Sequence, residues 1–563
     1  MAPPRFPVIT RPGVDPFSAS HKPPLPPPEY DRRTERGLII ERNCVIALRD
    51  GTEIFCDLYR PEHAQRDVPI LLAWGPYGKH ALSNRVFWPR SGVDPEWLSP
   101  LTPFEGPDPV RWGARGYGVA VADPRGAWLS GGDFHHNGPQ EAEDCADAIE
   151  WLGCLPWSNG RVGMTGVSYL AAIQYLVAPL KPAPLAALNP WEGFSDWYRE
   201  FAYHGGILET NFLPRASDNI RYSLNRTEDT WENVQAHPLI DDFWRSKELD
   251  LEAIDQPAYV VASWSDQGLH LRGTLEAFRR IGSEQKWLEV HGQKKWAHYY
   301  RPESGERRLA FFDHFLRDRP TTVTAWPKVR FEVRERHGVA TEGEAAAWPL
   351  PHTNYRLLYL DLAKGSLVLQ PPDGEAEARY DTRNGRIALD HTFAEATELA
   401  GYGSLTLWLE AEGSDDADLF VALQKLDPDG QEVGFTFYAF YENGPVALGW
   451  QRASHRTLDP ARSRPEQPVH LHTFEERLVP GEIVQVQVEL WPFSVRFEPG
   501  ERLRLVIAGA DIYRPEEGVM LPFPLHEQTR NAGTHAVHSG GRYPSFLVLP
   551  FIGPSNHGAK AAS

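Results

Sequence analysis

One serine stands where a folded chain could turn it into a nucleophile. Residues 160–178 read Gly-Arg-Val-Gly-Met-Thr-Gly-Val-Ser-Tyr-Leu-Ala-Ala-Ile-Gln-Tyr-Leu-Val-Ala. A short apolar run meets Gly166, Val167 and Ser168, and a segment of good helix formers follows. The pattern predicts strand, sharp turn and helix, with Ser168 at the apex. Glycine before such a serine lets neighbouring backbone approach while the serine occupies a strained turn. The helix then aims its first amides at the place where negative charge would form. The nucleophile pattern G-x-S-x-G expects glycine at position 170, and the chain has Leu170. Serine also suits a helix N-cap, so this stretch alone leaves nucleophile and cap side by side.

An activated serine needs a base, and the base needs an orienting acid. Ligands of open α/β sheets bind beyond the carboxyl ends of the strands, so residues after each predicted strand are the candidates. Gly75-Pro76-Tyr77 follow the strand at 68–74, and Asp123-Pro-Arg-Gly126 follow 117–122. Ser265 and Asp266 follow 258–264, and a loop ending Lys295-Trp296-Ala297-His298 follows 287–291. Ser168, Asp266 and His298 stand in the serine–acid–histidine order of α/β-hydrolases. In that arrangement Ser168 attacks an acyl carbon, His298 takes and returns its proton, and Asp266 fixes the histidine's tautomer. Each alone has an ordinary explanation, since Asp266 suits a loop and His298 is one of 21 histidines. Their joint placement on strand ends argues for catalysis. Trp74, Trp191, Trp264 and Trp296 lie near the same ends, either packing the core or walling a pocket for a bulky acyl group.

Those strand ends presuppose a particular chain. Strands at 39–48 and 53–58 meet at the hairpin signal Asp50-Gly51, and 68–74 is apolar throughout, as in a strand buried on both faces. A helix at 139–152 carries Pro139 in its first turn and an apolar stripe. Further strands fall at 185–188, 258–264 and 287–291, giving a doubly wound parallel sheet. Residues 192–250 break the rhythm and predict a helical cap, and 308–316 predicts a closing helix. Past Pro327 the runs 329–334, 405–410, 484–490 and 502–507 alternate at period two between turns, predicting a jelly-roll sandwich. The predicted architecture is therefore an α/β-hydrolase fold with an inserted helical cap and a C-terminal all-β jelly roll. Its parts are a Pro-rich arm (1–37), a catalytic domain (38–320), the sandwich (321–552) and a disordered tail (553–563).

The 563 residues exceed one hydrophobic core. A formal charge of −19 disfavours nucleic acid or an anionic membrane surface as partner. The four cysteines lack C-x-x-C spacing and read as reduced thiols. With no apolar stretch of spanning length and no secretory signal, the expectation is a cytoplasmic protein. His135-His136 has no third ligand at a recognisable spacing, and Asp415, Asp416 and Asp418 lack the glycine and glutamate of a calcium loop. No metal and no cofactor are expected; the partner is a small ester or amide. The Pro-rich arm would lie over the body or over a neighbouring subunit, which leaves a homo-oligomer open.

Residues 163–169, with Pro156-Trp-Ser-Asn-Gly160 just before them, resemble the cocaine-esterase and X-prolyl dipeptidyl-peptidase (CocE/NonD) family of serine hydrolases, which includes α-amino-acid ester hydrolases. The elbow of that family reads G-x-S-Y with a small residue at the place of Ala171, so Leu170 is no departure from it. Asp123-Pro-Arg-Gly126 with Ser130 and Gly132, Trp264-Ser-Asp266 and Trp296-Ala-His298 resemble its other loops. Residues 449–456 and 497–503 resemble its jelly roll. The resemblance covers about residues 38–552. It implies an acyl-enzyme on Ser168, with the Tyr77 hydroxyl and the Tyr169 amide stabilising the oxyanion. An X-Pro dipeptidyl-peptidase or an amino-acid ester hydrolase is the alternative enzyme, and a ligand-binding scaffold the non-enzymatic one. Where family members hold a substrate ammonium, a carboxylate stands soon after the oxyanion tyrosine. Here Gly78, Lys79 and His80 follow Tyr77, and a lysine there predicts neutral esters with bulky apolar acyl groups.

Overall fold

The computed structural model describes residues 6–18, 29–79, 88–515 and 523–553. The proline run at 23–28 and the tail at 554–563 lie outside the described residues. The N-terminal half is an eleven-stranded sheet. In chain order its strands are β1 (Asp31–Glu35), β2 (Leu38–Ala47), β3 (Glu53–Pro61), β4 (Val68–Trp74), β5 (Gly118–Ala122) and β6 (Ser158–Val167). Then come β7 (Leu185–Trp191), β8 (Ala258–Ser263), β9 (Lys286–His291), β10 (Val329–Arg336) and β11 (Val339–Ala345). They lie in the order β11-β10-β9-β8-β7-β6-β4-β5-β3-β2-β1. The segment from β5 to β10 is parallel throughout, and antiparallel strands close both edges. Every residue of β4, β5 and β8 is buried, which is why these strands read as unbroken apolar runs.

Helix α1 (Pro139–Gly153) packs a stripe including Cys145, Ile149 and Leu152 on the sheet. Helix α2 (Tyr169–Val177) is buried at all its positions, as a helix apolar on every side must be. Between β6 and α2 stands Ser168 with φ 61° and ψ −114°. Leu170 fits this turn because two glycines make room for it. A Cβ on Gly166 would lie 2.4 Å from Leu170 Cβ, and one on Gly75 2.6 Å from Leu170 Cδ1. Ala171 faces Gly193 in the same way, with 3.0 Å left for a Cβ there.

Three elements differ from the sequence reading. Residues 31–35, assigned to the arm, form edge strand β1 against β2. The run at 329–334, assigned to the sandwich, is β10 and pairs in parallel with β9. Period-two alternation marks a strand but does not say which sheet will take it. The cap between β7 and β8 is less helical than predicted. It joins a π turn (Tyr198–Ala202), the strand pair Tyr203–His204 and Ile207–Leu208, and short helices at Phe212–Asn219, Thr230–Ala236 and Asp242–Arg245. Residues Thr10–Pro12 add a strand to the cap at Arg226–Glu228.

From Asn354 onward the chain is a β-sandwich with a hydrophobic core of its own. Two long antiparallel strands, Thr397–Glu412 and Ile483–Phe497, form its spine. The last strand, Phe546–Ile552, pairs with both Asn354–Asp361 and Thr397–Glu412 and so wraps the sheet back on itself. The short pair Phe435–Phe437 and Tyr441–Gly444 leaves this body and reaches the catalytic half.

Gly166→Ala is expected to lower the melting temperature, because overpacking a tight core contact costs about 1–3 kcal/mol. Adding Leu170→Gly to that variant is expected to recover part of the loss. An unchanged thermal midpoint in the single variant would show that Leu170 does not set the shape of the turn.

Candidate active site

Of residues 162–178, only Ser168 is not buried. Its amide donates to Trp191 O at 3.0 Å, and its carbonyl accepts from the amides of Ala171 and Ala172 at 2.9 Å. The hydroxyl does not cap α2. It lies 3.0 Å from His270 Nε2. His270 Nδ1 is in turn 2.5 Å from Asp266 Oδ2. Both partners come from one loop, residues 264–270, between β8 and helix α3 (Leu271–Arg280). The loop turns once: the Asp266 amide donates to Ser263 O, and Leu271 N donates to Asp266 O. Two side chains four residues apart thereby reach the same side.

His298, expected beside Asp266, is elsewhere. It sits on helix α4 (Lys295–Tyr300) with Nε2 2.8 Å from Glu289 Oε1, and it stacks on His291 at 3.7 Å. The same helix presents Lys295 to the site instead, its Nζ 3.5 Å from Asp266 Oδ2. The histidine that meets Ser168 is therefore His270, not His298. The sequence held a signal for it: Asp266 and His270 stand at i and i+4, just before an amphipathic segment. The assumption that acid and histidine follow different strands hid that signal.

Tyr77 follows β4, and its hydroxyl faces Ser168, the Tyr169 amide and the Glu105 carboxyl. The Asp123-Pro-Arg-Gly126 segment holds this turn. Asp123 Oδ1 accepts from Lys79 N at 2.8 Å, and Trp128 Nε1 donates to Pro76 O at 3.0 Å. Lys79 itself turns away from Ser168. Its Nζ pairs with Asp57 at 3.0 Å and donates to Asn43 Oδ1, so it presents no charge to a substrate at Tyr77. His80 lies outside the described residues. The ring of Tyr169 is anchored below the site, its hydroxyl donating to Glu141 Oε2 at 2.8 Å.

Three of the four tryptophans are core residues. Trp74, Trp191 and Trp264 are fully buried, and their indole N–H groups donate to Glu141 Oε1, Asn189 Oδ1 and Glu332 O. A strand-end aromatic with a satisfied polar tip belongs to the interior. Trp296 is the exception, donating to Glu105 Oε1 at 3.0 Å and packing between Phe104 and Phe440. The rings near the reacting serine come from residues the sequence did not single out. Phe194 stacks on His270 at 6.3 Å, Phe104 meets Tyr77 edge-on at 4.9 Å, and Tyr438 reaches over from the sandwich.

Charge at the site is concentrated in buried groups. Asp266 is held down to about 2: burial opposes its ionisation, and Lys295 and His270 outweigh it. Burial lowers the basicity of His270 against the pull of Asp266, so the imidazole is neutral and free to accept a proton at neutral pH. Burial pushes Glu105 up to about 7, with Lys295 and Trp296 working against it. The arrangement brings a serine hydroxyl against an imidazole backed by a carboxylate, places a tyrosine hydroxyl and a backbone amide beside that serine, and surrounds it with aromatic rings. Among the described residues no group of three or more His, Cys, Asp or Glu side chains is placed to hold a metal ion, and no helix is long and apolar enough to cross a membrane.

Two family models match the chain. X-Pro dipeptidyl-peptidase (S15 family) matches residues 50–223 and 214–300, and the X-Pro dipeptidyl-peptidase C-terminal non-catalytic domain matches 321–548. The chain is 25% identical to cocaine esterase from Rhodococcus sp. (strain MB1 Bresler), over 91% of this chain and 98% of that one. A solved CocE/NonD family hydrolase from Staphylococcus aureus superposes with a TM-score of 0.89 at 39% identity, covering 92% of this chain and 94% of that chain. A solved α-amino acid ester hydrolase shares the fold, with a TM-score of 0.70 at 18% identity over 96% of this chain and all of the other.

A fluorophosphonate probe is expected to label the chain at Ser168, and the His298→Ala variant to be labelled at a similar rate. His270→Ala is expected to lose labelling by roughly 10²–10⁴-fold, the usual contribution of a positioned base. The reverse pattern, with His298→Ala inert, would return the base to the position read from sequence.

Proposed function

The chain belongs to the CocE/NonD family of hydrolases, and from that premise we propose that this serine hydrolase of esters works through Ser168, His270 and Asp266. The observation that carries the reading is the unbroken contact from Ser168 Oγ to His270 Nε2 and from His270 Nδ1 to Asp266 Oδ2. His270 Nε2 accepts the hydroxyl proton as Ser168 Oγ bonds to the acyl carbon. The carbonyl oxygen becomes an oxyanion between the Tyr77 hydroxyl and the Tyr169 amide. Collapse breaks the ester C–O bond, and His270 gives its proton to the leaving alkoxide, which departs as an alcohol. Water attacks the acyl-enzyme by the same route, and the acid and free Ser168 result. Asp266 keeps Nδ1 protonated throughout and stabilises the imidazolium.

The partner proposed is a small ester with a bulky apolar acyl group. The support for this is the aromatic surround of Phe104, Phe194, Trp296 and Tyr438, since rigid rings favour an apolar group that fills the space between them. Lys79 has no part in this preference, since its ammonium is turned to Asp57 and Asn43. Lys295, the ammonium that lies against Asp266, is already engaged by that carboxylate, which leaves Asp266 no free charge with which to hold a substrate ammonium.

Ser168→Ala is expected to remove ester turnover, by about 10⁶ in kcat. Tyr77→Phe is expected to lower kcat by roughly 10²–10³ with little change in KM, as loss of one oxyanion donor does. Full turnover in the serine variant would sink the mechanism, and a change confined to KM in the tyrosine variant would make Tyr77 a binding residue.

The substrate class is tested by kcat/KM for a benzoyl ester, an acetyl ester, a free-amine amino-acid ester and an X-Pro anilide. The benzoyl ester is expected to lead. A clear lead for either free-amine substrate would replace the apolar-acyl reading with the amino-acid or dipeptidyl one.

A further inference from the structure

Asp266 uses only one of its oxygens toward donors. Oδ2 meets both His270 Nδ1 and Lys295 Nζ, whereas the buried Oδ1 meets no N–H or O–H. Glu192, the residue after β7, has the same asymmetry. Its Oε1 lies 3.1 Å from His291 Nε2, and its Oε2 has no donor. The two carboxyls are hydrogen-bond neighbours of each other. Two neighbouring buried carboxyls, each with an oxygen that meets no donor, are strongly unfavourable unless one of them carries a proton.

The tautomer of His291 says which oxygen carries that proton. His291 Nδ1 accepts from the Gln293 amide at 3.2 Å, so in the neutral ring Nε2 bears the hydrogen and donates to Glu192 Oε1. Oε1 is then the carbonyl oxygen and Oε2 the hydroxyl. We propose that Glu192 is a positioning residue of the reaction, a neutral carboxylic acid whose O–H donates to Asp266 and extends the chain Ser168–His270–Asp266 by one member. The proposal rests on the assignment of those three residues under the proposed function.

Charge balance points the same way. Lys295 is a buried cation, and Asp266, Glu192 and Glu105 all act on it. In a dry site one ammonium compensates one carboxylate, and the remaining acids keep their protons. Burial and then the charge of Asp266 push Glu192 well above the usual carboxylate range. Behind it, burial keeps His291 and His298 neutral, while His298, Arg307 and Arg330 hold Glu289 ionised against its own burial. The backbone adds a further sign. Glu192 has φ 50° and donates its amide to Val261 O at 2.8 Å. A non-glycine residue in the left-handed region is held there by its surroundings, and here that conformation brings the carboxyl under Asp266. As an acid it fixes the Asp266 carboxylate without adding a second anion. As an anion it would raise the pKa of His270 and leave the base protonated.

Two variants of the full chain and an infrared measurement test this. Glu192→Gln keeps an acceptor for His291 and a donor for Asp266 and cannot ionise. It is expected to retain kcat within about threefold and to leave the acid limb of the kcat/KM profile in place, since no charge changes. Glu192→Leu removes the donor. It is expected to lower kcat by roughly 10- to 100-fold, the rate equivalent of one hydrogen bond to a charged group, with KM little changed and the acid limb moved to higher pH. An infrared difference spectrum, parent minus Glu192→Gln, is expected to show the carbonyl band of one buried carboxylic acid, the bands of Glu105 and other buried acids cancelling, and this readout needs neither turnover nor the leucine variant. An acid limb moved to lower pH in Glu192→Gln would reveal a lost anion and overturn the proposal. So would a missing infrared band, or a leucine variant as active as the parent. Failure of the underlying reading is seen separately, as a His270→Ala variant that keeps its turnover while the infrared result stands.

Discussion

The structure turns on one residue held in a conformation it does not favour. Ser168 lies at positive φ with ψ near −114°, in a region where a side chain costs about 1–3 kcal/mol. The backbone around it is fully engaged. Its amide is bonded to the end of β7, its carbonyl to two amides of α2, and the preceding Val167 amide to Glu105 O. Leu170 locks the turn from the other side by filling the space that Gly75 and Gly166 leave free. A leucine where glycine is common is therefore a repacking of the same elbow. The glycines have moved to its neighbours, and the serine keeps its place at the mouth of the sheet.

What the elbow offers becomes chemistry through the charges beneath it. A neutral imidazole and an ionised carboxylate must coexist in a nearly dry site, and burial alone would neutralise both. Lys295 resolves the conflict. It favours the ionised form of Asp266 and disfavours the protonated form of His270. Both effects prepare a base ready to accept a proton. The short helix that carries Lys295 also turns His298 back toward Glu289, so one element delivers the cation forward and buries the histidine behind.

Much of this arrangement is legible in the amino-acid sequence. Strands β4, β5 and β8 announce themselves as apolar runs because both faces of a parallel sheet are covered, and the ends of β4, β6 and β8 pick out Tyr77, Ser168 and Asp266. Legibility stops where local pattern no longer determines partners. The alternation in β10 marks a strand and says nothing of its sheet. Trp74, Trp191 and Trp264 sit near strand ends, yet strand geometry turns them into the core. His270 stands four residues from Asp266, a spacing that a single turn brings to one side, whereas strand ends alone point to His298. Glu105 and Glu192 carry no signal at all, since a glutamate in a loop is ordinarily solvated and only the assembled fold buries these two.

The second domain takes part in this assembly. Three of its contacts fall on the loop that bears Asp266 and His270. Ser265 O accepts from Tyr438 N at 2.9 Å, Gln267 Nε2 donates to Pro492 O at 3.0 Å, and Leu448 N donates to Gln267 Oε1 at 3.1 Å. A loop that must place both acid and base within a few tenths of an ångström gains little from the sheet beyond its first residue, because β8 ends at Ser263. The sandwich supplies further constraint on either side of Asp266, at Ser265 and Gln267. Hydrogen bonds are stronger where water is excluded, and Ser265, Asp266, Gln267 and His270 are all buried, so a domain that contributes neither Asp266 nor His270 still helps to hold the loop that carries both.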